Sequence, residues 1–311
     1  MERIRFYTTL MWCCLVSANV RASSYAEAAS SYAKAASSYA EAIISTDAVD
    51  VERSVTYTKA DSLRVMELLK NDKCKTALDF ARQLLNVPYV GHTLEVNDKE
   101  QLVVNLRQLD CTTLVETATA LALCAQSGEK SFSSYVRMLT KLRYRNGKLN
   151  GYTSRLHYFS DWIEDKHQMG IVEEIQSPNP PFTALQKLNI YYMSKHSKSY
   201  KALKAHPNLV KTIVQQEKKL TGRTYRYIQK SLTSNIVEMR KAVKEGDIIA
   251  ITCSKPGLDI AHLGFAVWRK DGLHLLNASQ LHKKVVEEPM TLSKYLSEHP
   301  SFTGIRIIRI K

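Results

Sequence analysis

The sequence predicts an α+β chain, and three observations carry that reading. Apolar residues recur at helical spacing between Asp61 and Gly128, the breaker cluster Ser177-Pro-Asn-Pro-Pro181 interrupts the middle, and branched, alternating stretches gather between residues 247 and 310. Helices first and antiparallel strands afterwards is the layout of an α+β fold. With 44% hydrophobic and 24% charged residues, the 311-residue chain can bury a full core, which excludes global disorder.

At the start, Glu-Arg-Ile-Arg (2 to 5) precedes a mostly apolar stretch, Phe6 to Val16, and the small residues Ala18 and Ala22. This is the pattern of a secretory signal over residues 1–22. The run is about half the ~20 residues a membrane helix needs, and no later stretch approaches that length, so the mature chain is expected to be exported to the periplasm without a transmembrane segment. Cys14 follows Met11-Trp12-Cys13 and lacks the small residues of a lipid-attachment site. Next comes Ser-Ser-Tyr-Ala-Glu-Ala-Ala from Ser23, repeated with period seven from Ser30 and Ser37. Its low complexity reads as a spacer over 23–57, with an interaction helix as the alternative, ahead of a domain over 58–311.

The formal charge is +14, and removing residues 1–22 leaves +12. A basic surface favours anionic partners such as nucleic acid, acidic lipid or acidic wall polymer. Export argues against nucleic acid, and no zinc-finger spacing or basic run interleaved with aromatics is present. The charge sets no oligomeric state.

Within the domain, Asp61 is expected to cap a helix from Ser62 to Leu69, and a second helix spans Lys75 to Leu85 before the Pro88 turn. A third follows Asp110, with Leu114, Val115, Ala118, Leu121 and Ala122 on its apolar face and Gly128 at its end. Residues 182–245, rich in Lys, Tyr and Gln, read as a helical insertion whose lysines (Lys187, Lys195, Lys198, Lys201, Lys204) form a solvated face, with attraction to anionic wall polymer as the alternative. Strands are expected at Asp247–Thr252, at His262–Trp268 and Leu273–Ser279 around Lys270-Asp271-Gly272, and at Ile305–Ile310.

Cys111 stands in the first turn of the third helix, where the helix dipole and backbone amides favour thiolate, the nucleophilic form. Cys124 and Cys253 read as buried small hydrophobes, and the spacings of 37, 13 and 129 between Cys74, Cys111, Cys124 and Cys253 match no metal motif. A thiolate nucleophile needs a base that can also protonate the leaving amine, which histidine does near neutral pH. His262 opens one strand of the expected hairpin and Asn277 lies on the other. A connection of two or four residues places both on one face, and a four-residue connection sets Asn277 opposite Gly264, whose missing side chain leaves space beside His262. An Asn carbonyl there would hold the imidazole tautomer of a Cys-His-Asn site. Arg155 and His157, among Tyr152, Thr153, Ser154 and Tyr158, are candidates for gripping a sugar or carboxylate, with a surface hairpin turn as the alternative. Trp162 and Trp268 read as core.

Leu-Asp-Cys-Thr-Thr (109 to 113) opening a helix, then Ile-Ala-His-Leu-Gly-Phe (260 to 265) with an Asn on the next strand, resembles the NlpC-type papain-like cysteine peptidases. Tyr-Val-Gly-His-Thr-Leu-Glu (89 to 95), Gly-Tyr-Thr-Ser-Arg-Leu-His-Tyr (151 to 158) and Gly-Leu-Asp-Ile-Ala-His-Leu-Gly-Phe (257 to 265) resemble more narrowly the branch called N-acetylmuramoyl-L-alanine amidase-like. That resemblance implies a Cys111 helix packed on an antiparallel sheet presenting His262 and Asn277, with Tyr89 at the position that helps hold the oxyanion. It implies hydrolysis of a peptidoglycan amide, at the lactyl-to-alanine bond or at a γ-D-glutamyl bond of the stem, with no metal or cofactor. A non-enzymatic wall-binding module with structural cysteines is the remaining alternative.

Overall fold

The protein is described by a computed structural model covering residues 55–311; the expected leader and nearly all of the spacer lie outside the described residues. The first half holds β1 (Val55–Thr56), α1 (Lys59–Lys70), α2 (Ala77–Arg82), β2 (Leu102–Val103), α3 (Cys111–Ser127), α4 (Phe132–Arg143) and α5 (Phe159–Gln168). Then come β3 (Val172–Ile175), β4 (Ala184–Lys187), α6 (Tyr192–Lys195), α7 (Lys201–Ala205), α8 (Leu209–Leu220), β5 (Thr224–Gln229) and α9 (Ile236–Ala242). The chain closes with β6 (Ile248–Cys253), β7 (Ile260–Arg269), β8 (Gly272–Ser279), β9 (Lys284–Glu287), α10 (Leu292–Ser297) and β10 (Phe302–Ile310).

An antiparallel sheet runs β4-β5-β10-β6-β7-β8-β9, and β3 pairs with the end of β10 that β5 leaves open. The α+β expectation therefore holds. β6 reads Ile-Ile-Ala-Ile because both its faces are covered. Ile249 and Ile251 join Leu273, Leu275, Ile305 and Ile307 in a core capped by α9 and α10, while Ile248 and Ala250 are fully buried on the other side. α3 packs against α2, α4, β7 and β8 and is buried on nearly every side, its one acid, Glu116, paired with Arg143. Its start is secured by a capping box: Asp110 accepts the Thr113 amide at 2.8 Å, and Thr113 Oγ1 accepts the Asp110 amide at 2.9 Å.

Several expectations are corrected. α1 begins at Lys59 because Thr58 is its N-cap and Asp61 is the returning partner of that capping box. α2 is shorter than the expected 75–85, since Thr76 caps it and the turn toward Pro88 begins at Gln83. Strands do not wait until residue 247: β3, β4 and β5 come earlier, so the 182–245 stretch is not helical throughout and contributes two strands to the main sheet. Gly264 leaves no open space. A Cβ there would lie 2.6 Å from the Leu276 carbonyl and 2.7 Å from the Leu275 side chain, so the glycine permits close strand approach.

Gly304 is the tighter case. A Cβ would lie 2.0 Å from the Ile228 carbonyl, where β10 meets β5. Gly304→Ala is expected to cost at least about 1–3 kcal/mol by forcing the two strands apart. Chemical-denaturation curves of the two proteins check this, and an unchanged midpoint refutes it.

Candidate active site

Each of the three proposed groups is placed by a different local device. Cys111 is the first residue of α3, held there by the Asp110 cap. His262 follows an irregularity at Ala261, where the β6/β7 register shifts between Ile251 opposite His262 and Thr252 opposite Ile260. Asn277 arrives through the β7/β8 hairpin, where Arg269 faces Gly272 and Phe265 faces Leu276, a register that continues to Gly264 beside Asn277. His262 Nε2–H donates to Asn277 Oδ1 at 3.0 Å. That bond leaves Nδ1 as the nitrogen with the free lone pair. Asn277 is fully buried, and the Tyr295 ring lies 6.4 Å from the imidazole, centroid to centroid.

Cys111 lines two adjoining cavities. The larger, of about 290 Å³, is bounded by Tyr89, Glu95, Arg143, Arg155 and His157. The smaller, of about 90 Å³, is bounded by Phe159, Leu258, Asp259 and His262. Tyr89 reaches the larger one because its segment is held on both sides: its amide donates to the Lys283 carbonyl at 2.8 Å, and the Val90 amide donates to Leu109 at 3.1 Å. Burial, and next the proximity of Cys111, raise the Tyr89 pKa, so its hydroxyl stays a donor.

The thiol departs from the thiolate expectation. Burial first and the Asp110 carboxylate second push Cys111 up to about 12, against the opposing pull of the Leu263 amide and of the Thr112 hydroxyl and amide. The helix start carries a neutralising carboxylate, so the dipole is not left to the sulfur. Burial also lowers the His262 pKa, with the Asn277 bond opposing it. Both shifts favour the neutral form, of the Cys111 thiol and of the His262 imidazole on the wall of the same cavity. The four cysteines Cys74, Cys111, Cys124 and Cys253 are free.

Arg155 and His157 do not form a surface turn. Arg155 is 5% exposed, pairs with Glu95, and has Nε 3.4 Å from Glu100. Its Nε is buried without a hydrogen-bond partner at the cavity wall. His157 donates from Nε2 to the Tyr152 carbonyl at 3.0 Å and packs on the Tyr152 ring. Sequence reasoning missed Glu95, Glu100, Arg143 and Glu116. Arg143 donates to Glu116 at 2.7 Å and to the Val103 carbonyl at 2.6 Å, with both side chains buried. Only Glu95 had a usable signal, as the last residue of the Tyr89–Glu95 block. Trp162 is fully buried as expected, whereas Trp268 is half-buried under the Arg240 guanidinium. Among the described residues, no cluster of three His, Cys, Asp or Glu side chains could hold a metal.

Fold and cleft define an α+β protein with a cysteine, a tyrosine and an asparagine-held histidine around adjoining cavities. The chain belongs to the AmiA-like family, described as N-acetylmuramoyl-L-alanine amidase-like, whose family model matches residues 79–305. An N-acetylmuramoyl-L-alanine amidase from Bacteroides uniformis is 40% identical over 76% of this chain and 100% of its own, with a TM-score of 0.70. A Bacteroides fragilis protein described as a candidate xylanase is 42% identical over 75% of this chain and 100% of its own, TM-score 0.69. A Legionella pneumophila protein, 23% identical over 80% of this chain and 94% of its own, shares the fold at a TM-score of 0.58. No curated protein matches. Among the described residues no helix is long and apolar enough to cross a membrane.

Because the thiol is neutral at pH 7, alkylation of Cys111 by iodoacetamide should accelerate about tenfold per pH unit between 7 and 9. Fast labelling independent of pH, read by intact mass, would show a resting thiolate instead. Burial, then the Arg155 charge, hold His157 down to about 3, below its ordinary 6.5. The unfolded chain therefore takes up the proton first, so stability is complete above about 6.5 and is lost as pH falls toward 3. Urea midpoints should fall from pH 7 to pH 5, and His157→Gln should flatten that slope.

Proposed function

We propose that the protein is a cysteine amidase that hydrolyses the N-acetylmuramoyl-L-alanine bond of peptidoglycan fragments, with a papain-like Cys111-His262-Asn277 site. The observation that carries this reading is the 3.0 Å bond from His262 Nε2 to Asn277 Oδ1 at a cavity shared with Cys111. Cys111 Sγ attacks the amide carbonyl carbon while its proton passes to His262 Nδ1. The tetrahedral oxyanion is held by the Cys111 amide and the Tyr89 hydroxyl, each such donor being worth roughly 3 to 4 kcal/mol. His262 then protonates the leaving nitrogen, the C–N bond breaks, and a thioester remains on Cys111. Water, deprotonated by His262, resolves that thioester to the free acid and the thiol.

The leaving amine must lie on the side of the imidazole that protonates it, which assigns it to the smaller cavity and the acyl half to the larger. The muramoyl group is then walled by Arg155, His157 and Tyr89. The name of the Bacteroides fragilis relative raises a glycosidase alternative, which needs two carboxyl groups facing the scissile bond. Here Glu95 is tied to Arg155, Glu116 to Arg143, Asp110 to the α3 cap, and Asp259 accepts the Ser160 amide. Export by the 1–22 segment completes the reading.

Digestion of purified muropeptides, read by mass spectrometry, tests the proposal. Free sugar and free stem peptide are expected, and Cys111→Ala should lower turnover at least about 10³-fold. Asn277→Ala should lower kcat with little change in KM. Cleavage of a sugar-free tetrapeptide would move the cut to the γ-D-glutamyl bond, and full activity in Cys111→Ala would refute the nucleophile.

A further inference from the structure

Positive charge is concentrated in one part of this chain. Residues 187–230 carry nine lysines and two arginines against a single acid, Glu217, a net +10 of the chain's +14. That acid does not offset the surface charge, because it is internal. Glu217 is 2% exposed and accepts from the Tyr158 hydroxyl at 2.8 Å and the Ser194 amide at 2.9 Å.

The segment builds a lobe with its own apolar core, in which Met193, Leu203, Ile213 and Leu220 pack with Tyr152 and Tyr158. α8 divides its faces accordingly: Ile213, Glu217 and Leu220 turn inward, and Lys211, Lys218 and Lys219 are exposed. Lys195, Lys198 and Lys204 are exposed as well, and none of these six has a carboxylate partner among the described residues. Lysines on flexible stems attract negative charge diffusely, without the fixed fork that arginine brings to a single ligand. Residues 187–230 also include no large exposed hydrophobe, as insertion into lipid would require.

The lobe is joined to the wall of the larger cavity. Tyr152 and Tyr158 flank Arg155 and His157 in the same short stretch, and Gln216 Nε2 donates to the Thr153 carbonyl at 2.7 Å. Lys201 reaches Asp98 at 3.1 Å, on the loop that also carries Glu95. A polyanion resting on the lobe therefore lies beside the cleft.

We propose that this lysine-covered lobe is a docking surface for polymeric peptidoglycan, held through free carboxylates of stem peptides other than the one being cut. The proposal rests on the cell-wall reading above and deepens it: the chain grips wall polymer away from its active site. Attraction of this kind is screened by salt.

The test is cosedimentation of the Cys111→Ala protein with purified sacculi, which reads binding without cleavage. Replacing Lys195, Lys198, Lys204, Lys211, Lys218 and Lys219 by Gln should weaken binding about tenfold at low ionic strength. It should also remove most of the fall in binding between about 20 and 300 mM salt. The same six changed to Arg should bind as the parent does. Six Lys→Gln changes elsewhere (Lys59, Lys70, Lys73, Lys75, Lys244, Lys270) should leave most of the binding intact. With the lobe unmodified, soluble poly-glutamate should compete the protein off sacculi. Unchanged binding of the lobe variant, equal loss in both Gln sets, failure of the competition, or tighter binding to phosphatidylglycerol vesicles than to sacculi each overturns the proposal. A failed muropeptide digest leaves this binding result standing, so the two readings fail separately.

Discussion

The register of one hairpin underlies the site. Only when Phe265 stands opposite Leu276 do His262 and Asn277 share a face within hydrogen-bond reach. A slip of one residue turns every side chain of a strand to the opposite face, which would separate the imidazole from the amide completely. β7 and β8 resist such a slip because both lie inside the sheet and are buried on both faces. Leu273 and Leu275 occupy one core, and Leu276 and Ala278 are buried opposite. The apolar pattern that stabilises the sheet thus also aims the polar pair.

The start of α3 solves a second problem, at a chemical cost. A helix whose first residue is to approach a cavity needs its free amides satisfied, and Asp110 does this through Thr113. The carboxylate that anchors the helix also places a negative charge beside Cys111. The two demands compete: the stronger the cap, the less of the dipole remains to acidify the sulfur. The cap is kept and the Cys111 pKa is raised, while burial lowers that of the His262 imidazole. A histidine whose Nε2 is engaged by Asn277 keeps Nδ1 as the nitrogen able to take up a proton.

What the sequence revealed follows from how local each signal is. α3 was legible because its cap, apolar face and terminating glycine lie within one stretch of chain, and the hairpin because alternation and parity are properties of neighbouring residues. The strand β5, Thr-Tyr-Arg-Tyr-Ile-Gln, was hidden: its lysine- and glutamine-rich surroundings resemble a solvated helix, and its reason to be extended is pairing with β4 and β10. Thr58 and Asp61 illustrate a smaller ambiguity, since both ends of a capping box are good caps and only the backbone says which is first. Arg155 was nominated for its chemistry, but its burial depends on Glu95 and Glu100, about 60 residues away in sequence. No local pattern announces such a pairing.

That long-range pairing explains why the cavity and the basic lobe belong to one design. The stretch from Tyr152 to Tyr158 faces two ways: Arg155 and His157 line the cavity, while Tyr152 and Tyr158 sit in the lobe's apolar core. Breaking a buried charge pair by removing one partner typically costs about 3–5 kcal/mol, so Arg155 and its glutamates are well secured only if this stretch is held from behind. The lobe supplies that support through Tyr158, whose hydroxyl donates to the same buried Glu217 that accepts the Ser194 amide. The lobe's one internal acid therefore organises its core and braces the cavity wall, and the exposed charged side chains of residues 187–230 are all positive.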